Sequence, residues 1–332
     1  MRDWTESAHA EWIFHAGLLF ALERESWSGD GAERDRPAGQ VRVWGYGLAA
    51  GARALLVVDH GDVDRLREEA YGHHKASRRG LEEPHLISIS EDELVASALG
   101  RWQLPDDAVV LPLGPPEPLS SVTALLPRAR VVRSGQTRER GTACCVVRSR
   151  SGRYGFLTAG HVAGNTGGVV ELGRTRLWGR RVEWAPIGTV AYASDPIETP
   201  GVAGWDAAVV ETAGSRGWPA LRAVPLPPAL PVPLPVTMLG GPSGEVSVEV
   251  IASMREFGSG RRVWRDSWLM LPSGTAVQGD SGSAVIESGD RLVGLVVGGS
   301  RERGSHAFSA QYVQDADSLC REFLERRGYC IH

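Results

Sequence analysis

From residue 128 onward the chain is cut into short β-prone runs, closed again and again by Gly, Ser or Pro. The runs are Ala129–Arg133, Thr142–Arg148, Arg153–Thr158, Gly168–Leu172, Gly188–Tyr192, Ala207–Glu211, Val236–Leu239, Glu245–Ser253, Ser267–Leu271, Ser283–Glu287, Arg291–Val297 and Ala307–Ala310. Runs this short cannot build long helices, and at this spacing they suit antiparallel strands folded into barrels or a sandwich. One stretch breaks the rhythm: 219–235 holds seven prolines in 17 residues. Without N–H donors it is expected to stay extended, outside any sheet, as a rigid connector between two β units. A ligand for a proline-recognising domain is the other reading. At the C-terminal end, Ala316, Leu319, Phe323 and Leu324 share one helical face within 315–327.

The first 127 residues have a different texture. Trp12, Ile13, Ala16, Leu19, Phe20 and Leu22 recur at helical spacing over 9–26. Val41–Leu48 and the apolar run Ala54–Val58 read as strands, the second one buried. Asp62 is placed to cap a helix over Val63–Tyr71, a second helix is expected over Glu91–Leu99, and Ala108–Leu113 reads as a strand stopped by Gly114-Pro115-Pro116. This mixture predicts a small α/β or α+β unit. Charge divides the chain at the same place. Residues 1–127 carry 12 basic and 21 acidic side chains, a balance of −9, and residues 128–332 carry 24 and 19, a balance of +5. The acidic half is therefore expected to dock on the basic half. A surplus of +5 is too small to point to nucleic acid. The arginine excess, with Lys75 the only lysine, reads as coding bias in a GC-rich genome.

No run of about 18 apolar residues occurs, so no membrane-spanning helix is expected. The N-terminus lacks the basic start and long apolar stretch of a secretory signal. The four cysteines, Cys144, Cys145, Cys320 and Cys330, have no zinc-ligand spacing. Cys144 and Cys145 are expected on opposite faces of a strand as free thiols, which fits a cytoplasmic protein. Asp59-His60-Gly61-Asp62 superficially resembles a metal loop but reads more simply as a strand end followed by a helix start.

Two segments carry chemistry: Phe156-Leu157-Thr158-Ala159-Gly160-His161-Val162 and Gln278-Gly279-Asp280-Ser281-Gly282-Ser283-Ala284-Val285. Between them lies Trp205-Asp206-Ala207-Ala208-Val209-Val210, an aspartate opening an apolar strand. A serine hydroxyl needs an adjacent base to become a nucleophile, and a histidine needs a fixed tautomer to be that base. In the order His, Asp, Ser, these three segments resemble the signatures of chymotrypsin-like (trypsin-fold) serine proteases over about residues 128–327.

The resemblance implies an all-β double β-barrel behind the N-terminal α/β unit. Barrel one would cover about 128–218, barrel two about 236–314, with the connector 219–235 between them and a helix over 315–327. It implies His161 as general base, Asp206 as its orienting acid and Ser281 as nucleophile, with the N–H groups of Gly279 and Ser281 as oxyanion donors. Asp195 is the rival for the acid, but Pro196 and no apolar strand follow it. Thr275, six residues before the nucleophile, would floor the specificity pocket, and Val297-Gly298-Gly299 would wall it. Thr275 carries no charge to pair with Lys or Arg, so trypsin-like specificity is not expected. Arg301, Arg303 and His306 lie just beyond and read as loop residues, although a cation there would favour an acidic side chain. Val162 stands where secreted members often have cysteine. Asp280 is the residue that pairs with a new N-terminus in zymogen members, and here no activating cleavage is expected to be needed.

These readings converge on a serine endopeptidase, regulated and intracellular, that takes protein or peptide substrates and needs no metal or organic cofactor. The rival readings are a protease-fold scaffold with an unused triad, acting through its N-terminal half, and an esterase. The N-terminal half itself stays open between sensor or substrate-presenting module, inhibitory pro-region and added structural domain.

Overall fold

The computed structural model describes residues 9–26, 40–77, 91–119, 131–136, 138–176, 181–196, 203–214, 218–227, 229–259, 262–272, 277–301 and 308–331. The N-terminal part contributes α1 (Ala10–Ser26), β1 (Val43–Ala49), β2 (Arg53–Asp59), α2 (His60–Ser77), α3 (Glu91–Ala98), β3 (Val109–Leu113) and the two-residue β4 (Glu117–Pro118). Next come β5 (Val131–Ser134), β6 (Arg140–Thr142), β7 (Val146–Ser149), β8 (Tyr154–Thr158), the single turn α4 (Gly160–Ala163), β9 (Val169–Arg176), β10 (Arg181–Ser194) and β11 (Ala207–Thr212). The last group is β12 (Arg222–Ala223), β13 (Leu234–Leu239), β14 (Glu245–Ser259), β15 (Arg262–Pro272), β16 (Ala284–Ile286), β17 (Arg291–Arg301), β18 (Phe308–Asp315), α5 (Ala316–Leu319) and β19 (Tyr329–Ile331).

These strands make a double β-barrel. In the second barrel β13, β16, β17, β18, β15 and β14 are neighbours in that order, and β13 also pairs with β14, which closes a six-stranded ring. Closure removes the edge only where β13 and β14 pair, over 245–250, and the rest of β14 extends past β13 with an edge still open. The first barrel closes differently. β6 and β7 are halves of one bent strand: the first half pairs with β5, the second with β8. The circuit continues through β11, β10 and β9 back to β5. At the bend Cys144 N donates to Leu157 O and Leu157 N to Cys145 O, so the break costs no backbone pairing there. β19 lines the outer side of β7.

Cys144 and Cys145 fall in that bend, outside either strand, and join one apolar cluster instead of facing opposite ways. A bend removes the two-residue alternation that a continuous strand would impose. Both thiols are free and buried, and its hydrogen bond with Cys144, together with burial, pushes the Cys145 thiol well up. That cluster lies where the barrels meet, combining Leu157 and Val209 of the first with Phe257, Trp264, Leu295 and Tyr312 of the second. Trp205 packs there too.

The strands of the N-terminal part belong to the second barrel's sheet. β1 runs antiparallel along β14, β2 antiparallel to β1, and β3 parallel to β2. All seven β1 residues are buried. One face, with Trp44, Leu55 and Val57, joins the inter-barrel cluster, and the other, with Tyr46, Leu48, Leu56 and Val58, packs under Trp12, Ala16 and Phe20 of α1. At about 1.5–3 kcal/mol for each large apolar side chain fully buried, this junction is held mainly by apolar contact and sheet hydrogen bonds.

Three local expectations need correction. The helix after β2 starts at His60, where the Asp59 carboxylate accepts the Gly61 N–H, while Asp62 accepts the Arg42 N–H instead of capping. The proline-rich stretch does enter sheet. Arg222–Ala223 pair in parallel with β17, and Pro235 lies opposite Glu249 in β13. Pro235 is tolerated because it sits near the strand's start, before the segment Thr237–Leu239 that β16 also pairs. Finally, the C-terminal helical run changes pitch. Asp315 caps α5 through the Ser318 N–H, a π turn follows over Cys320–Leu324, and a 3-10 turn over Glu325–Arg327 ends at Gly328 in the left-handed region.

Among the described residues, no helix is long and apolar enough to cross a membrane.

Candidate active site

His161, Asp206 and Ser281 are up to 120 positions apart in sequence and meet at the seam between the barrels. His161 sits in α4, the turn that leaves β8. Asp206 precedes β11, which pairs with β8, so the pairing of those two strands sets the first distance. Ser281 comes from the second barrel, and the Thr142 N–H donates to its carbonyl at 2.7 Å, tying the two barrels at the site itself. Thr142 also donates through Oγ1 to Gly279 O at 3.0 Å.

The hydrogen bonds form a relay. His161 Nδ1 lies 2.6 Å from Asp206 Oδ2, and His161 Nε2 lies 2.9 Å from Ser281 Oγ. An ionised carboxylate only accepts, so Nδ1 carries the imidazole proton and Nε2 is left bare to accept from the serine hydroxyl. That hydroxyl has a second acceptor, Val297 O, at a longer 3.2 Å. Asp206 is fully buried and is held by two further donors. His161 N donates to Oδ1 at 3.0 Å and Trp264 Nε1 to Oδ2 at 3.0 Å. The Gln314 side chain accepts the Asp206 N–H at 2.9 Å. Asp195 is elsewhere, clasped by the Arg262 guanidinium through two hydrogen bonds of 2.8 and 3.1 Å.

Burial alone would raise the Asp206 pKa, but the adjacent His161, its two hydrogen bonds and the Arg262 charge outweigh it and hold the carboxyl below its usual range. A lowered native pKa contributes stability that is complete above the unfolded value of about 4 and is lost as pH falls through the native value. Urea unfolding between pH 2.5 and 5 is therefore expected to give a flatter stability curve for Asp206→Asn than for the parent chain. Parallel curves would contradict the depressed pKa.

Gly279 has φ +102, a conformation L side chains rarely adopt. Its N–H donates to the Leu119 carbonyl. Asp280, next to the nucleophile, is bound internally. Its Oδ1 accepts from Ser243 Oγ at 3.0 Å and its Oδ2 from the Val277 N–H at 2.9 Å. The strand after the elbow, with Val297, Gly298 and Gly299, is covered by β4, with Gly298 opposite Pro118 and Gly299 opposite Glu117. Ser281 has no exposed surface. Arg301 is no loop residue: it ends β17 and pairs with Glu117 at 2.5 Å. Thr275, Arg303 and His306 lie outside the described residues.

Trp264, Gln314, Ser243 and the Glu117–Leu119 segment were not singled out by sequence reasoning. The β-branched Val263 and aromatic Trp264 were a usable sign that β15 begins before Ser267. The partner of the Trp264 indole, by contrast, is 58 positions away and leaves no local trace.

No protein-family model matches the chain, and neither does any curated protein sequence. Solved structures do match, and they are chymotrypsin-like serine proteases. A Nocardiopsis protease is 20% identical, with 60% of this chain and 97% of that one covered at a TM-score of 0.42. A Cellulomonas bogoriensis chymotrypsin is 22% identical, with 62% and 98% covered at 0.43. A glutamic-acid-specific serine protease is 18% identical, with 61% and 98% covered at 0.44.

Proposed function

We propose that the chain is a serine endopeptidase that hydrolyses peptide bonds through an acyl-enzyme. Ser281 is the nucleophile, His161 the base that takes its proton and returns it to the leaving amine, and Asp206 the group that fixes the imidazole tautomer and stabilises the imidazolium. Gly279 N–H, with that of Ser281, receives the oxyanion. The reading rests on one observation, the relay from Asp206 through His161 to Ser281 at 2.6 and 2.9 Å. Three donors on one buried carboxylate are more than a structural histidine needs. Val297, Gly298 and Gly299 line the acyl side of the cleft. No group in this set supplies a charge for Lys or Arg.

We further read residues 1–127 as a unit that controls access to the protease of residues 128–332, because a segment of the first part pairs with β17 and its Leu119 carbonyl holds the Gly279 N–H. This favours a regulated enzyme over a scaffold with an idle triad. A fluorophosphonate probe tests the enzyme reading. The probe is expected to label Ser281 in the full chain carrying Leu119→Asp, which takes the covering side chain out of its apolar seat. The same chain with Ser281→Ala added should stay unlabelled. Absence of label from the wild type, Leu119→Asp and the milder Glu117→Lys alike would sink the hydrolase readings.

A further inference from the structure

The segment 114–119 lies across the site as a substrate would. β4 runs antiparallel to β17, next to the elbow that carries Ser281. Pro116 O accepts from Ser259 Oγ at 2.5 Å, Glu117 pairs with Arg301, and the Leu119 carbonyl accepts the Gly279 N–H. These contacts fix the register from both ends. A Cβ on Gly298 would come within 2.8 Å of Glu117 O, so the bare strand is what lets the segment lie this close. The Leu119 side chain is fully buried in an apolar cluster with Val285, Val296 and Val313. The carbonyl of Leu119 thus rests on the donor meant for an oxyanion, beside a serine hydroxyl already bonded to its base.

We propose that the peptide bond joining Leu119 to Ser120 is this enzyme's own substrate, cleaved within the same molecule. The proposal rests on the endopeptidase reading above and adds its substrate class. That class is an extended chain with an apolar residue just before the cut, proline before it, and an acidic residue third from the bond, read by Arg301. Ser281 Oγ bonds to the Leu119 carbonyl carbon while its proton passes to His161 Nε2. The tetrahedral centre collapses, the bond to the Ser120 nitrogen breaks, and His161 returns the proton to that amine. Water then attacks the ester, giving one proton to His161, and Ser281 Oγ takes it back as the Leu119 carboxylate leaves. Asp280 is already bound by Ser243 and Val277, so the site is formed before the cut. The cut serves to release the cover.

Intact-mass measurement of the purified full chain tests this. The wild type is expected to convert into 1–119 and 120–332 with a half-time unchanged on hundredfold dilution, and Ser281→Ala to stay whole. Leu119→Asp should stay whole yet label with fluorophosphonate. Glu117→Lys, at a half-exposed position that carries little folding risk, should cleave about fivefold more slowly. A wild type that stays whole, or is cut at another bond, while fluorophosphonate labels Ser281 in either variant, overturns self-cleavage and leaves the endopeptidase standing. Cutting of the Ser281→Ala chain by added wild type at the same bond, with a dilution-dependent half-time, overturns the intramolecular assignment. Neither cutting nor labelling in any of these chains overturns both readings.

Discussion

Asp206→Asn is expected to slow fluorophosphonate labelling of Ser281 by about 10³–10⁴ when both chains carry Glu117→Lys to loosen the cover. The fold should barely notice, since the amide has nearly the same shape. What changes is the proton. Asp206 takes three donors and gives none. Asparagine presents an N–H₂ where an acceptor is needed and steers the imidazole to the tautomer with its proton on Nε2. That nitrogen then cannot accept from Ser281 Oγ, and the nucleophile is left as a plain hydroxyl. Asp195→Ala is the control. Its carboxylate is clasped by Arg262, away from the relay, and labelling should stay within about twofold. If Asp195→Ala abolished labelling and Asp206→Asn did not, the acid of the triad would have to be reassigned.

The second large effect is on stability. Gly47→Val is expected to cost about 3 kcal/mol and lower the melting temperature by about 6 °C. Gly47 has an ordinary φ, so the cost is one of space. A Cβ there would sit 1.9 Å from Ser253 O and 2.8 Å from Met254 Cα, both on the backbone of β14. No rotamer relieves a clash with backbone, so β1 must move off β14, and Trp44, Leu55 and Val57 lose their place in the inter-barrel cluster. Gly100→Ala is the matched control, because nothing lies within 4 Å of its Cβ and its φ is not positive. It should melt within about 1 °C of the parent. Equal melting of Gly47→Val and Gly100→Ala would mean that β1 does not lie on β14.

Much of the two barrels could be read locally. A strand lies within or across each of the twelve runs from Ala129 to Ala310, because turn residues and β-branched side chains act over a few positions. Strand lengths were harder. β10, β14 and β17 run well past the expected ends, through Trp184, Phe257 and Gly299, where cross-strand partners override local preference. The three residues of the relay were legible because each sits in a segment whose chemistry and order are distinctive. The donor from Trp264, the internal binding of Asp280 by Ser243 and the clasp of Asp195 by Arg262 were not, since each joins residues far apart in the chain.

The division at residue 128 is where sequence and structure part most clearly. The change of texture and the −9 and +5 balance are properties of the chain alone, and they follow from composition whatever the fold. That β1, β2 and β3 continue the sheet of the second barrel depends on a free edge at β14 and on glycines that let two backbones approach, neither of which has a local signature. Likewise the sequence by itself determined the order and identity of the catalytic candidates, because a nucleophile, its base and its acid are residue types. Only the tertiary structure decided that Glu117-Pro118-Leu119 lies over them, because that placement comes from register, a pair of hydrogen-bonded strand residues and one carbonyl on the Gly279 N–H.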